Sequence, residues 1–138
     1  MSVPLQLCFA LYSTSLAMTK LYKPLLADLG LTYPQYLVML ALWERDDVTV
    51  SELGERLFLD SGTLTPLLKR METAGFLLRS RSAQDERRVQ ITLTSAGRAL
   101  KSKASSIPLG LMSVSHCSLP ELMKLTKDIQ AIRRLLDH

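Results

Sequence analysis

Between Gly75 and Thr94 the apolar spacing of this chain changes from helical to alternating, and nothing else in the sequence constrains the fold so much. Residues 76–81 are short and β-compatible. Val89, Ile91 and Leu93 then alternate with Gln90, Thr92 and Thr94, as a strand buried on one face requires. The polar run Ser82-Ala83-Gln84-Asp85-Glu86-Arg87 between them reads as the turn of a hairpin. Elsewhere the punctuation is helical. Thr32-x-x-Gln35, Thr49-x-x-Glu52 and Ser118-x-x-Glu121 match the capping box, in which side chain and backbone satisfy each other's free donors. Asp60 is placed to cap a further helix, and Gly30 and Gly75 stand where left-handed helix ends belong. These signals predict helices over 4–29, 33–44, 50–58, 61–74, 95–112 and 119–136.

Two short helices, a tight turn, a further helix and a charged hairpin make a winged helix-turn-helix, within a mainly α chain carrying one small β-hairpin. The helix-turn-helix runs from Thr49 to Ala74. On its second helix Leu64, Leu67, Leu68 and Met71 recur at i, i+3, i+4 and i+7, the stripe expected to be buried. Ser61, Thr63, Thr65, Pro66, Lys69 and Arg70 take the other side. Small hydroxyls near the N-terminus followed by cations suit a helix that enters a major groove. Pro66 lies beyond the first turn if Asp60 is the cap, so it removes one backbone bond. The hairpin tip supplies Asp85, Arg87 and Arg88, with Asp85 placed to orient Arg87 toward phosphates or an adjacent minor groove.

The charge balance agrees. The net charge of +4 is modest, but Lys69, Arg70, Arg79, Arg81, Arg87, Arg88, Arg98, Lys101 and Lys103 form a block facing only Glu72, Asp85 and Glu86. With 138 residues, 47% apolar and 22% charged, the chain is expected to be one globular domain, which excludes wholesale disorder. Within it, 31–94 is the expected DNA-binding part, and 4–30 and 95–138 the expected dimerisation helices. The stripe Leu122, Leu125, Ile129, Ile132, Leu135 and Leu136 needs a partner, and a two-fold dimer reads two half-sites.

Two cysteines, Cys8 and Cys117, exclude a disulfide-stapled mini-domain, and no CxxC or HxxxH spacing suggests a metal. The run before Lys20 lacks a positive leader region and is interrupted by Gln6, Ser13, Thr14 and Ser15, so neither a signal peptide nor a membrane span is expected. A cytoplasmic protein is the expectation. On the first helix Cys8, Tyr12, Ser15, Thr19 and Tyr22 step by four and three and share a semi-polar face. Fourteen residues of helix separate Cys8 from Tyr22 by ~21 Å, so any direct bond between them must cross a dimer axis. By composition alone Cys8 reads first as a small inert hydrophobe, because free cysteine is among the most buried residues and no lysine or arginine nearby stabilises a thiolate.

Leu7-Cys8-Phe9-Ala10-Leu11-Tyr12-Ser13, Lys20-Leu21-Tyr22-Lys23-Pro24-Leu25-Leu26 and Leu31-Thr32-Tyr33-Pro34-Gln35-Tyr36 resemble the organic-hydroperoxide repressor branch of the MarR family. Leu59-Asp60-Ser61-Gly62-Thr63-Leu64-Thr65-Pro66-Leu67-Leu68-Lys69-Arg70 and Asp85-x-Arg87 resemble it too, so the likeness covers nearly the whole chain. It implies a homodimer that binds double-stranded DNA and represses a peroxidase-type resistance gene, with organic hydroperoxides as inducers; no cofactor is expected. Cys8 would be the peroxidatic thiol, bonded by Tyr22 and Tyr33 of the partner subunit beside Tyr12, and Cys117 the second thiol of a disulfide. Three alternatives stand beside it, among them a dimer module that does not bind DNA. Another is a MarR-type repressor relieved by a small aromatic ligand, with Cys8 structural. The third is a thiol peroxidase, against which no base or arginine accompanies Cys8.

Overall fold

The computed structural model describes residues 1–137, which fall into two compact units, Met1–Ser105 and a smaller one from Ser106 onward. The first unit opens with α1 (Val3–Leu26), closed by a 3-10 turn over Ala27–Leu29. Next come α2 (Tyr33–Glu44), β1 (Val48–Thr49), α3 (Val50–Leu57) and α4 (Ser61–Thr73). The hairpin strands β2 (Leu77–Arg81) and β3 (Val89–Leu93) lead into α5 (Ser95–Ala104). The second unit holds α6 (Ile107–Ser115) and α7 (Leu119–Leu136).

The caps predicted from sequence form. Thr32 with Gln35 and Ser118 with Glu121 make full capping boxes. Thr49 makes only the forward half, accepting from the Glu52 N–H at 3.1 Å. Gly30 and Gly75 adopt φ of 67° and 88°, the left-handed region that costs glycine nothing.

Three features depart from expectation. The hairpin is part of a three-stranded antiparallel sheet ordered β1-β3-β2, with Val48 opposite Ile91 and Thr49 opposite Gln90. Two residues are too few to display alternation, so β1 left no signal in the sequence. The helix expected over 95–112 is two helices, α5 ending at Ala104 and α6 starting at Ile107 with Pro108 in its first turn, where the missing N–H is not needed; a continuous helix would set that ring against the Ala104 carbonyl. The helix expected over 50–58 stops at Leu57, and Phe58 turns left-handed at φ 57° to reverse the chain into α4.

The core of the first unit forms where α2, α3, α4 and the sheet meet. Leu64, Leu68 and Met71 of α4 are fully buried, Leu67 nearly so, and Val38, Met39, Leu42, Leu53, Leu77 and Ile91 join them. α1 behaves differently. Val3, Leu5, Phe9 and Leu16 are 77%, 59%, 59% and 51% exposed, and Leu26 is its buried residue. In α7, Leu125, Ile129, Leu135 and Leu136 are exposed, while Leu122 and Ile132 are partly covered. Among the described residues, no single helix is long and apolar enough to cross a membrane.

Candidate functional site

α4 is set by its cap. Asp60 Oδ1 accepts from the Thr63 N–H at 2.7 Å, and the hydrogen bonds from Thr63 hold the carboxyl below its ordinary range. Burial of the leucine stripe then fixes which side faces out. Ser61, Thr63, Pro66, Lys69 and Arg70 are exposed, and Thr65 is half-buried. The helix runs unbroken through Pro66.

The hairpin tip is built around Asp85. Its Oδ1 accepts from the Arg87 backbone N–H at 3.0 Å and from Arg87 Nε at 3.4 Å, and Oδ2 lies 4.0 Å from Arg88 Nε. The Arg88 N–H donates to the Asp85 carbonyl at 3.0 Å, and the Ser82 N–H to the Arg88 carbonyl at 2.9 Å. A tight polar loop thus presents Arg87 with a side chain that is 93% exposed. Arg79, which the sequence indicated only as part of a charge block, belongs to the same surface. Glu72 receives its backbone N–H, Nε and Nη2 at 3.0, 3.2 and 3.1 Å, which holds the glutamate below its usual range. A cavity of about 440 Å³ between α3, α4 and the hairpin is lined by Ser61, Thr65, Arg79, Arg87 and Arg88, together with Glu52 and Glu55 of α3. The three guanidiniums outnumber the two carboxylates, and with the α4 hydroxyls they offer donors to phosphate oxygens along one side of the groove.

A second cluster lies where α1 meets α2. The Tyr22 and Tyr33 rings stack at 4.6 Å between centroids, and Tyr36 sits 6.0 Å from Tyr22. Burial raises all three phenols above their ordinary pKa, with further Coulombic contributions from neighbouring tyrosines at Tyr22 and Tyr36. Tyr36, only 4% exposed, was not singled out from the sequence as a site residue. Its signal was its place three residues after Tyr33 and seven before Trp43 on one helix face. The chain does not bring its own Cys8 to this pair. α1 is continuous from Val3 to Leu26, so Cys8 stays ~21 Å of helix rise from Tyr22, exposed near Tyr12, itself 65% exposed. Cys117, half-buried before α7, donates its backbone N–H to Ser115 Oγ at 3.3 Å. Among the described residues, no group of three or more His, Cys, Asp or Glu is placed to hold a metal.

The organic hydroperoxide resistance transcriptional regulator of Bacillus subtilis (strain 168) is 51% identical over 131 residues, 95% of this chain and 89% of that protein. This chain belongs to the organic-hydroperoxide regulator branch of the MarR family. The family model for the transcriptional regulators SarA/Rot matches residues 20–104. Reduced AbfR bound to DNA, from Staphylococcus epidermidis, superposes with a TM-score of 0.85 at 34% identity, covering 99% of this chain and 93% of that one. The disulfide form of AbfR gives 0.68 at 35% identity, with 92% and 89% covered. This MarR-family chain is accordingly a winged-helix transcriptional regulator rather than an enzyme.

Proposed function

We propose that this regulator is a homodimeric repressor that grips a pseudo-palindromic operator when reduced and leaves it when an organic hydroperoxide oxidises Cys8. The observation that carries the reading is the Tyr22–Tyr33 ring contact, whose Tyr22 shares α1 with an exposed Cys8 too far along that helix to reach it. A second copy arranged by a two-fold axis supplies the missing thiol to each pair. The exposed apolar side chains of α1 and α7 supply the surface such a dimer needs. On this reading segments 4–30 and 95–138 hold the dimer, while 31–94 binds operator in the cytoplasm. Ser61, Thr63, Thr65, Pro66, Lys69 and Arg70 would meet the major groove. Asp85, Arg87 and Arg88 would meet phosphates or the minor groove.

The chemistry balances without a cofactor. The Cys8 thiolate, hydrogen-bonded by phenols, attacks the terminal oxygen of ROOH. The O–O bond breaks, the hydroxyl stays on sulfur as a sulfenic acid, and the alkoxide leaves as ROH with the proton that the Cys8 thiol gave up on ionising. Condensation with the Cys117 thiol releases water and forms a disulfide, which requires the two Cα atoms to come within ~7 Å. Loss of the phenol–thiolate bonds then moves the paired recognition helices out of register with their half-sites. The better superposition on reduced, DNA-bound AbfR than on its disulfide form supports reading the conformation described here as the reduced one.

Mixed dimers test the arrangement across the axis. A heterodimer of Cys8→Ser with the double variant Tyr22→Phe, Tyr33→Phe keeps one complete site only if thiol and phenols come from different subunits. It is expected to form sulfenic acid at about half the wild-type amplitude with wild-type rate. A rate as slow as that of the homodimeric tyrosine variant would overturn it.

One observation favours a second reading, relief by a small ligand with Cys8 structural. A largely apolar cavity of about 450 Å³ opens beside Tyr33, with Lys20 and Lys23 at its edge. If that reading holds, Cys8→Ser keeps its response to the inducer.

A further inference from the structure

An unbroken line of aromatic contacts leads from the tyrosine pair to the root of the wing. Tyr33 stacks on Tyr22 at 4.6 Å, Tyr22 meets Tyr36 at 6.0 Å, and Tyr36 meets Trp43 edge-on at 6.5 Å. The Trp43 indole Nε1–H then donates to the Gly97 carbonyl at 3.0 Å, in the first turn of α5. Both wing strands are rooted at that turn. Thr94, which follows β3 and caps α5, donates its N–H to the Phe76 carbonyl at 3.1 Å and its hydroxyl to the Gly75 carbonyl at 2.6 Å. Gly97 lies against the same Phe76 carbonyl so closely that a Cβ there would come within 2.1 Å of it. Rings packed at these separations do not compress, so a displaced Tyr22 must be taken up by Tyr36 and passed on.

We infer that Tyr36 and Trp43 are positioning residues that carry the state of the Tyr22–Tyr33 pair to the base of the wing. The inference rests on the sensor reading above. α2 suits the task because Tyr33, Tyr36 and Trp43 lie on one face of a single helix, pinned at its start by the Thr32 capping box. In the reduced dimer, the bonded tyrosines hold the line in one arrangement. When oxidation of Cys8 withdraws their hydrogen-bond acceptor, the rings resettle. The Trp43–Gly97 bond lengthens or shifts, and the wing leaves the position that fits DNA. The physical content is a coupling free energy between sensor and operator, which mutation along the line diminishes without touching either end.

Trp43 is the sole tryptophan of the chain, so the wild-type dimer reports on itself. Adding cumene hydroperoxide is expected to change Trp43 emission with the same rate constant as Cys8 sulfenic acid formation, and to leave the emission of Cys8→Ser unchanged. Emission that stays constant while wild-type Cys8 oxidises and DNA is released overturns the relay. Trp43→Phe provides the second arm, because it keeps a ring and removes the N–H donor. Cys8 is expected to oxidise at the wild-type rate. The ratio of reduced to oxidised operator affinity should shrink by about 5- to 160-fold, the range two neutral hydrogen bonds supply, one in each subunit. A merely structural tryptophan would weaken both states alike, and a preserved ratio therefore overturns the inference. Wild-type protein that oxidises without releasing DNA refutes the sensor reading instead, and the relay with it.

Discussion

The wing makes a numerical prediction that folding and binding measurements separate cleanly. Arg87 is aimed by Asp85 through bonds of 3.0 and 3.4 Å, yet its side chain is 93% exposed. A residue so placed adds little to stability, so Arg87→Ala should unfold within about 0.5 kcal/mol of wild type. On DNA the same change is felt twice, once in each subunit. Each phosphate contact contributes about −0.9 to the slope of log K against log salt, so losing two flattens the slope by about 1.8. Between about 50 and 200 mM salt, the wild-type advantage over the variant then shrinks about 12-fold. Fluorescence anisotropy of a labelled operator across that range reads the slope directly. Parallel lines for wild type and Arg87→Ala would refute the assignment of Arg87 to the phosphate backbone.

Other perturbations follow from the same geometry. Gly97→Ala places a methyl 2.1 Å from the Phe76 carbonyl oxygen, a backbone atom with little freedom to retreat. Overpacking of that kind costs ~1–3 kcal/mol, so Tm should fall by roughly 3–15 °C in a thermal melt, and an unchanged Tm contradicts the packing described. At alkaline pH the sign is set by burial, which raises Tyr22, Tyr33 and Tyr36 above 10.0 and so favours their protonated forms in the folded chain. Their contribution to stability is complete below pH ~10 and is lost as pH rises through the folded values. Chemical denaturation between pH 8 and 11 should show a smaller alkaline loss for Tyr22→Phe with Tyr33→Phe than for wild type.

The parts of this fold that were legible in the sequence are those specified locally. Caps at Thr32, Asp60 and Ser118, left-handed glycines at 30 and 75, and the Leu64-Leu67-Leu68-Met71 stripe each depend on a few neighbouring residues. What escaped was in part specified elsewhere in the chain. β1 exists because Val48 and Thr49 find Ile91 and Gln90 more than forty residues away. Phe58 turns left-handed without a glycine, its N–H and that of Leu59 both closing the helix on the Gly54 carbonyl, a local end that no glycine advertised. The break before α6 was readable at Pro108 but hidden by the apolar pattern on either side.

The candidate site divides in the same way. The recognition-helix and wing residues declared themselves by position on amphipathic elements, and the structure finds them exposed or lining the same groove. Arg79 needed Glu72 to show where it points, because the charge block alone does not distinguish one arginine from another. Tyr36 needed Tyr22, which arrives from α1, to become part of a cluster rather than one more core residue. Helix rise alone placed Cys8 and Tyr22 too far apart to meet within one chain, and the continuous α1 keeps them apart.

The central claim is that one thiol governs operator binding. Titrating the promoter pseudo-palindrome with wild type and Cys8→Ser, each before and after one equivalent of cumene hydroperoxide, tests it directly. The account predicts tight binding by both reduced proteins, release of the oxidised wild type, and undiminished binding by treated Cys8→Ser. Release of both proteins, or of neither, would contradict it.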